Sequence, residues 1–276
     1  MRRVSIGTTA RVIGVLIALG VAVFPLYWMF VTSLTSDHNL FGNHVQLLPD
    51  LSRIGVYAHA LVSQDVLRWL RNSLIIASGT CVLSIGLAVP VGYALSRFSF
   101  RGKGAVALGL FLTQMLPEAL LVVPLFAFFR TLGLIDSLPG LILADTAFVL
   151  PIVAFILKGA IDGIPRELEE AARVDGCRPL DVLARINLPL IAPSVAAGAV
   201  ISFFSGWNEY VFAVTFVSDP AKQPASVGVA SFIGELSTPT QTLMAVALMY
   251  TLPAVVFYLL AQRHVVAGMT AGGVKG

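Results

Sequence analysis

Six apolar runs, at about 12–32, 74–96, 105–129, 138–157, 192–217 and 240–261, constrain this chain more than any other feature. A helix needs about 20 predominantly apolar residues to cross a hydrocarbon core of about 30 Å, so each run is predicted to be one span. Together they leave only loops and tails, none long enough for a large separate domain. With 12% charged residues against 57% hydrophobic, the chain also lies far from the roughly 25% charged content of a soluble enzyme. The expectation is an all-α polytopic membrane protein, one domain over 1–276, without internal repeats or long linkers.

Basic residues set the direction, because cytoplasmic connectors are enriched in Lys and Arg. With both termini inside, the inner segments hold thirteen of the 18 (Arg2, Arg3, Arg11, Arg97, Arg101, Lys103, Lys158, Arg166, Arg173, Arg178, Arg185, Arg263, Lys275). The outer segments hold the other five, Arg53, Arg68, Arg71, Arg130 and Lys222. An N-in, C-in topology follows, with outer loops at about 35–72 and 218–239 and the largest inner loop at about 158–191. The first run is read as a retained anchor, being longer than a signal h-region and lacking an A-x-A cleavage site. Proline stands in or beside every run (Pro25, Pro90, Pro117, Pro124, Pro139, Pro151, Pro193, Pro253). This is consistent with bent helices around a pathway, and equally with the general frequency of proline in spans.

Several chemistries are absent. Net charge is only +3 and the basic residues are scattered, so no nucleic-acid partner is expected. Cys81 and Cys177 fall in different compartments and form neither a disulfide nor a CxxC site, and the four histidines show no HExxH spacing. None of the four lysines completes a phosphate-binding GxxxxGK[ST] loop, and there is no G-x-S-x-G elbow. No cofactor, metal or intrinsic catalysis is expected.

The inner loop carries the strongest signal. Residues 164–190, IPRELEEAARVDGCRPLDVLARINLPL, parse into two short helices. Pro165 opens the first, Glu167, Glu169 and Glu170 meet its positive end, and Gly176 permits the left-handed turn that ends it. Pro179 opens the second and Pro189 closes it. Helices of this length are below the roughly 12–15 residues needed for marginal stability in water, so something must hold them. Leu168, Ala171 and Ala172 are expected to share an outer face on the first, and Leu180, Leu183 and Ala184 one side of the second.

This segment resembles the EAA loop of bacterial ATP-binding-cassette importer permeases. The pattern E-A-A, three residues, G, nine residues, I-x-L-P stands here as Glu170, Ala171, Ala172, Gly176, Ile186, Leu188 and Pro189. The resemblance covers nearly the whole chain and is closest to the carbohydrate-uptake branch. It takes in Asn72 and Ser73, the stretch Tyr93 to Lys103, Gly133 to Leu143, Trp207-Asn208-Glu209, and the tail Gln262 to Gly276, which is like that of the maltose-type G subunit.

The resemblance implies a type I importer permease fold in a bacterial cytoplasmic membrane. It implies a second permease subunit, two cytoplasmic ATPase subunits that bind ATP and Mg²⁺, and an extracytoplasmic solute-binding protein that delivers a sugar-like solute. The loop would dock in an ATPase groove, with Glu170 accepting a bond from an ATPase arginine and Gly176 setting the angle between the helices. The tail would either fray or reach between the ATPases.

Ionisable groups inside spans are costly and mark pathways; Glu118, Asp145 and Glu209 qualify. Gln114 and Glu118 share a helix face, as do Asp145 and Val149. Trp207, Asn208, Glu209 and Tyr210 are suited to stacking on a sugar ring and bonding its hydroxyls, and equally to packing between paired subunits. Tyr27, Trp28 and Tyr258 read as interface anchors or packing. The alternative function is an ion-coupled secondary transporter that uses the three acids as a proton relay.

Overall fold

The structure, a computed structural model, describes residues 6–40, 42, 45–63, 65–233 and 240–273, with the side chains of 6–10, 37, 38, 63 and 263–273 left aside. Arg2, Arg3, Lys275 and the side chains of the tail motif after Gln262 therefore lie outside the described residues. All regular structure among the described residues is helical.

The helices are α1 (Ile6–Ser33), α2 (Gly55–Ser63), α3 (Val66–Arg97), α4 (Lys103–Thr113), α5 (Glu118–Thr131), α6 (Leu138–Asp162) and α7 (Arg166–Val174). They continue with α8 (Pro179–Leu190), α9 (Ala192–Trp207), α10 (Val211–Phe216), α11 (Ala225–Ser231) and α12 (Thr240–Gly273). Among the described residues, four stretches are long and apolar enough to cross a membrane: Arg11–Ser33, Val66–Arg97, Leu138–Asp162 and Thr240–Gln262. Counting each of two bent helix pairs as one span raises this to six.

The expected continuous helix over 105–129 is not formed. It breaks between Thr113 and Glu118 into α4 and α5, which meet at 106°. Pro117, extended at ψ 129°, interrupts the helical path, and the Gln114 side chain anchors the break by donating to Phe148 O at 2.8 Å. The expected span over 192–217 likewise stops at Trp207 and restarts at Val211. Prolines 25, 90, 124, 151 and 253 lie within helices.

Contacts divide the chain into two compact units, residues 1–67 with 229–252, and residues 68–228 with 253–276. In the first, the membrane window of α1 has none of its residues buried. Near its end the Ser33 and Tyr57 hydroxyls share a bond of 2.7 Å, and Tyr27 donates to Leu47 O at 2.6 Å.

The second unit is built on α6, whose membrane window is 56% buried. Lipid tails are as apolar as leucine, so helices associate there through close packing at small residues rather than by expelling water. A Cβ added at Gly92 would sit 3.1 Å from the backbone of α6, and one at Gly206 would lie 2.8 Å from Ala77 Cα. Ser84 of α3 donates to Ser202 of α9 at 2.7 Å. Ala88, Tyr93, Val153, Leu157, Ile161, Leu183 and Ile191 form one buried cluster joining α3, α6 and α8.

Candidate functional site

The candidate site residues fall mainly in two places in the second unit. The first is the loop between α6 and α9. Pro165 precedes α7 in an extended conformation, and Gly176 ends the turn after it at φ +86°, with the Cys177 N–H reaching Ala172 O at 3.0 Å. That bond closes a left-handed helix stop of the kind glycine permits. Asp181 accepts from the Arg178 N–H at 3.2 Å, fixing the start of α8 beside Pro179.

Pro189 does not close α8, as expected from sequence; the helix runs to Leu190 and turns by 82° into α9 at Ile191. Residues Leu183–Asn187 adopt the wider π form, with the Leu188 N–H bonded to Leu183 O. Such a segment accommodates a proline that supplies no N–H to the ladder.

Burial also corrects the expected faces. Leu168, Ala171, Leu180 and Ala184 point outward, but Ala172 and Leu183 are each 7% exposed and pack inward. The loop is thus held by its own membrane body. Ile186 and Leu188 are half-buried, and Glu170, Gly176 and Pro189 are exposed.

The decisive inward contact comes from Glu169, one residue before the motif. Its carboxylate accepts from Arg97 Nε at 2.6 Å, with side chains only 3% and 5% exposed. Arg97 Nη2 also donates to Ile164 O at 2.9 Å, and Ser96 donates to Asp162 at 2.6 Å. A charge buried this deeply needs such pairing, since an unpaired one costs several kcal/mol. On the outer side, a small cleft of about 70 Å³ is lined by Arg97, Arg166, Glu169, Glu170 and Arg173.

The second site is a cavity of about 450 Å³ at the breaks after α4 and α9, lined by Gln114, Glu118, Phe148, Phe204, Ser205 and Asn208 among others. Sequence reasoning named Gln114, Glu118 and Asn208, and here they converge. Asp145 lies behind the wall, 3% exposed, and accepts from Ser205 Oγ at 2.6 Å.

The four residues Trp207 to Tyr210 do not form a stacking set. Trp207 is 1% exposed and stacks on Phe203 at 5.9 Å. Glu209 is 6% exposed and accepts from the N–H groups of Phe212 at 2.6 Å and Ala213 at 3.3 Å, capping α10. Tyr210 is 43% exposed, away from the cavity lining. Because the helix breaks here, four consecutive side chains diverge.

At the other end of α3 a further set of ties holds the loop after α10. Asn72 donates to Ala221 O and Gln223 O, each at 3.0 Å, and Ser73 accepts from the Ala225 N–H at 2.8 Å. Asp136, at φ +56°, accepts from the N–H groups of Ser218 at 3.1 Å and Asp219 at 3.0 Å and from Lys222 at 3.3 Å. The Asp219 N–H, with help from Lys222, holds the Asp136 carboxyl below its ordinary pKa.

Comparison with known proteins decides what these sites belong to. The family described as binding-protein-dependent transport system inner membrane components matches residues 84–270. The chain belongs to that family. The permease is 32% identical over 270 residues to the sulfoquinovosyl glycerol transport system permease protein SmoH of Agrobacterium fabrum, covering 98% of this chain and 95% of that one. It is also 32% identical to the trehalose/maltose transport system permease protein MalG of Thermococcus litoralis, with 96% of each covered. A crystal structure of a bacterial ABC transporter that imports the acidic polysaccharide alginate shares its fold, with TM-score 0.78 and 24% identity over 95% of this chain and 99% of that one.

The permease is accordingly a multi-pass transport subunit of an ABC importer in the bacterial cytoplasmic membrane. Ser205 and Asp136 escaped sequence reasoning, and so did the pairing of Arg97 with Glu169. Arg97 ends a span next to polar residues, a usual place for a cytoplasmic flanking charge, and nothing in the sequence pairs it with Glu169. The role of Asn72 and Ser73, known from sequence only as a recurring pair, is to hold the 221–225 segment.

Proposed function

We propose that the permease forms half of the translocation pathway for a sugar or related polyhydroxylated solute. It works with a second permease subunit, two cytoplasmic ATPase subunits that bind ATP and Mg²⁺, and an extracytoplasmic solute-binding protein. The observation that carries this reading is the inner loop, where α7 and α8 present Glu170, Leu168, Ala171 and Leu180 outward on a base anchored to α3 and α6. ATPase closure pushes on this pair, Glu170 accepts a charge-assisted bond from an ATPase arginine, and the 82° turn at Ile191 passes the motion to α9.

The orientation is N-in and C-in with six spans, each bent pair in 103–131 and 179–216 contributing one. In support, residues 97 and 162–169 are bonded to one another, as are 72–73 with 221–225 and 136 with 218–222, which groups the connectors as the basic-residue count does. The cavity at Gln114, Glu118 and Asn208 is its part of the solute path, with Phe148 and Phe204 offering flat apolar faces. Sugar-type cargo is supported by the names of the relatives, trehalose and maltose or sulfoquinovosyl glycerol. The proton-relay alternative is not favoured, since of the three acids only Glu118 lines the cavity.

The test is ATP-driven uptake in proteoliposomes by the assembled importer, using the radiolabelled solute identified with the copurified binding protein. Glu170→Ala and Gly176→Val are expected to abolish uptake while membrane insertion persists. Wild-type uptake by both variants would sink the mechanism, and uptake driven by a proton gradient without ATP would replace it.

A further inference from the structure

The inner loop's motif residues account for what is displayed outward, but not for how a push on α7 reaches the spans. The main chain offers one continuous route through α8 to α9. On the other side, α7 is joined to α6 by the short segment Gly163 to Pro165, and α6 ends at Asp162. Two consecutive residues at the end of α3, Ser96 and Arg97, grip this corner at three points: Asp162, Ile164 O and Glu169. The guanidinium is the centre of the arrangement, donating through Nε to Glu169 and through Nη2 to the Ile164 carbonyl. Ile164 itself is buried in the cluster with Tyr93, Leu157 and Ile161.

Glu169 and Glu170 are neighbours with opposite surroundings. Successive helix positions differ by about 100°, so when Glu170 faces outward Glu169 turns toward the body. Its side chain is only 3% exposed, and a planar guanidinium with a fixed fork of donors is suited to holding two acceptors in one geometry. Separating the pair would leave Glu169 with the longer Arg173 contact at 3.9 Å and Arg97 with the Ile164 carbonyl, so the contact resists the displacement that a loosely packed helix would allow.

We propose that Arg97 and Glu169 are a positioning pair that latches α7 to the cytoplasmic end of α3, so that displacement of the loop is carried by α3 and α7 as one body. Force then enters the bundle at α3 through the latch, in addition to the main-chain connections to α6 and, through α8, to α9. This inference rests on the importer reading above.

The experiment uses the complete importer with its partner subunits, with Cys81 and Cys177 replaced by Ser and nitroxide labels at Ser99 and Glu167, both exposed. The inter-label distance is compared between the nucleotide-free state and the state trapped with ATP and vanadate. With the latch intact the distance is expected to stay the same in both states. In Glu169→Gln, trapping is expected to shift it by about 1–5 Å, the range of helix shifts in switching proteins. Arg97→Lys, which keeps a charge beside Glu169 but loses the fork that also reaches Ile164, should show a smaller shift in the same direction and serves if Glu169→Gln does not assemble.

A distance that changes on trapping with the latch intact, or no change in either variant, overturns the proposal. Failure of both variants to assemble also overturns it, since the pair then serves assembly rather than transmission. Failure of the unsubstituted importer to trap nucleotide rejects the importer reading instead.

Discussion

The base of the α7–α8 loop and the cavity end of the second unit treat their polar residues in different ways. At the base of the loop, Arg97 is bonded to Glu169 and Ser96 to Asp162. At the cavity end, Glu118 is exposed on the wall, and Gln114 and Asn208 each hold a backbone carbonyl with one amide N–H while still lining the space. On the proposed function, the groups at the base of the loop are held chiefly by one another, whereas those along the solute path line breaks in the helices. The same residue types thus serve as a joint in one place and as a wall in the other.

The contrast is broken most directly at Glu169. Glu169→Ala strands the buried Arg97 guanidinium and is expected to destabilise the solubilised protein by about 3–5 kcal/mol. Glu170→Ala, one position away on the outside, should stay within about 0.5 kcal/mol, as surface substitutions do. Equal thermal shifts for the two would show that the burial difference is wrong.

At the cavity, Ser205→Ala leaves an oxygen of the buried Asp145 without its donor, costing about 1–3 kcal/mol. Chemical denaturation checks this, and a neutral result would mean that Asp145 finds another partner. Glu118→Gln tests the open wall. It should leave stability unchanged within about 0.5 kcal/mol but raise uptake of an anionic sugar relative to a neutral one. The expected change is roughly tenfold, a like-charge contact near a protein surface being worth on the order of 1–4 kcal/mol.

The smallest effect is expected at the outer loop. Asp136 is held ionised by the Asp219 N–H and by Lys222. A carboxylate with a depressed native pKa contributes fully above its unfolded value of about 3.9 and loses that contribution as pH falls through the native value. A nitroxide at Ser218 should therefore remain restrained from pH 7 to about 4 and loosen only below that, whereas in Asp136→Asn it should already be looser at pH 7. Loosening between pH 7 and 5 in the unsubstituted protein would assign the restraint to another group.

Much of the fold was legible because apolar runs, proline and glycine act locally. The run 138–157 is a helix, Gly176 ends a turn, and Pro179 opens α8. The cavity was partly legible, since polar groups in spans are rare, but Gln114 and Glu118 reach it from either side of a break in the helix and not from one continuous helix face, as their spacing had suggested. The breaks were harder. The break at 208–210 sends Trp207 and Glu209 into the packing and leaves Asn208 in the cavity, and no periodicity records where a helix will be interrupted.

The sequence by itself determined most of the helices, the membrane as their solvent, the family and the position of the motif, because each of these is written in residues close together along the chain. Only the tertiary structure decided that Ala172 and Glu169 both turn inward, that the partner of Glu169 is Arg97 from 72 residues away, and that Glu209 caps a helix. The reason is physical: helical spacing says which side chains share a face, but which face turns inward depends on what a distant segment brings to meet it.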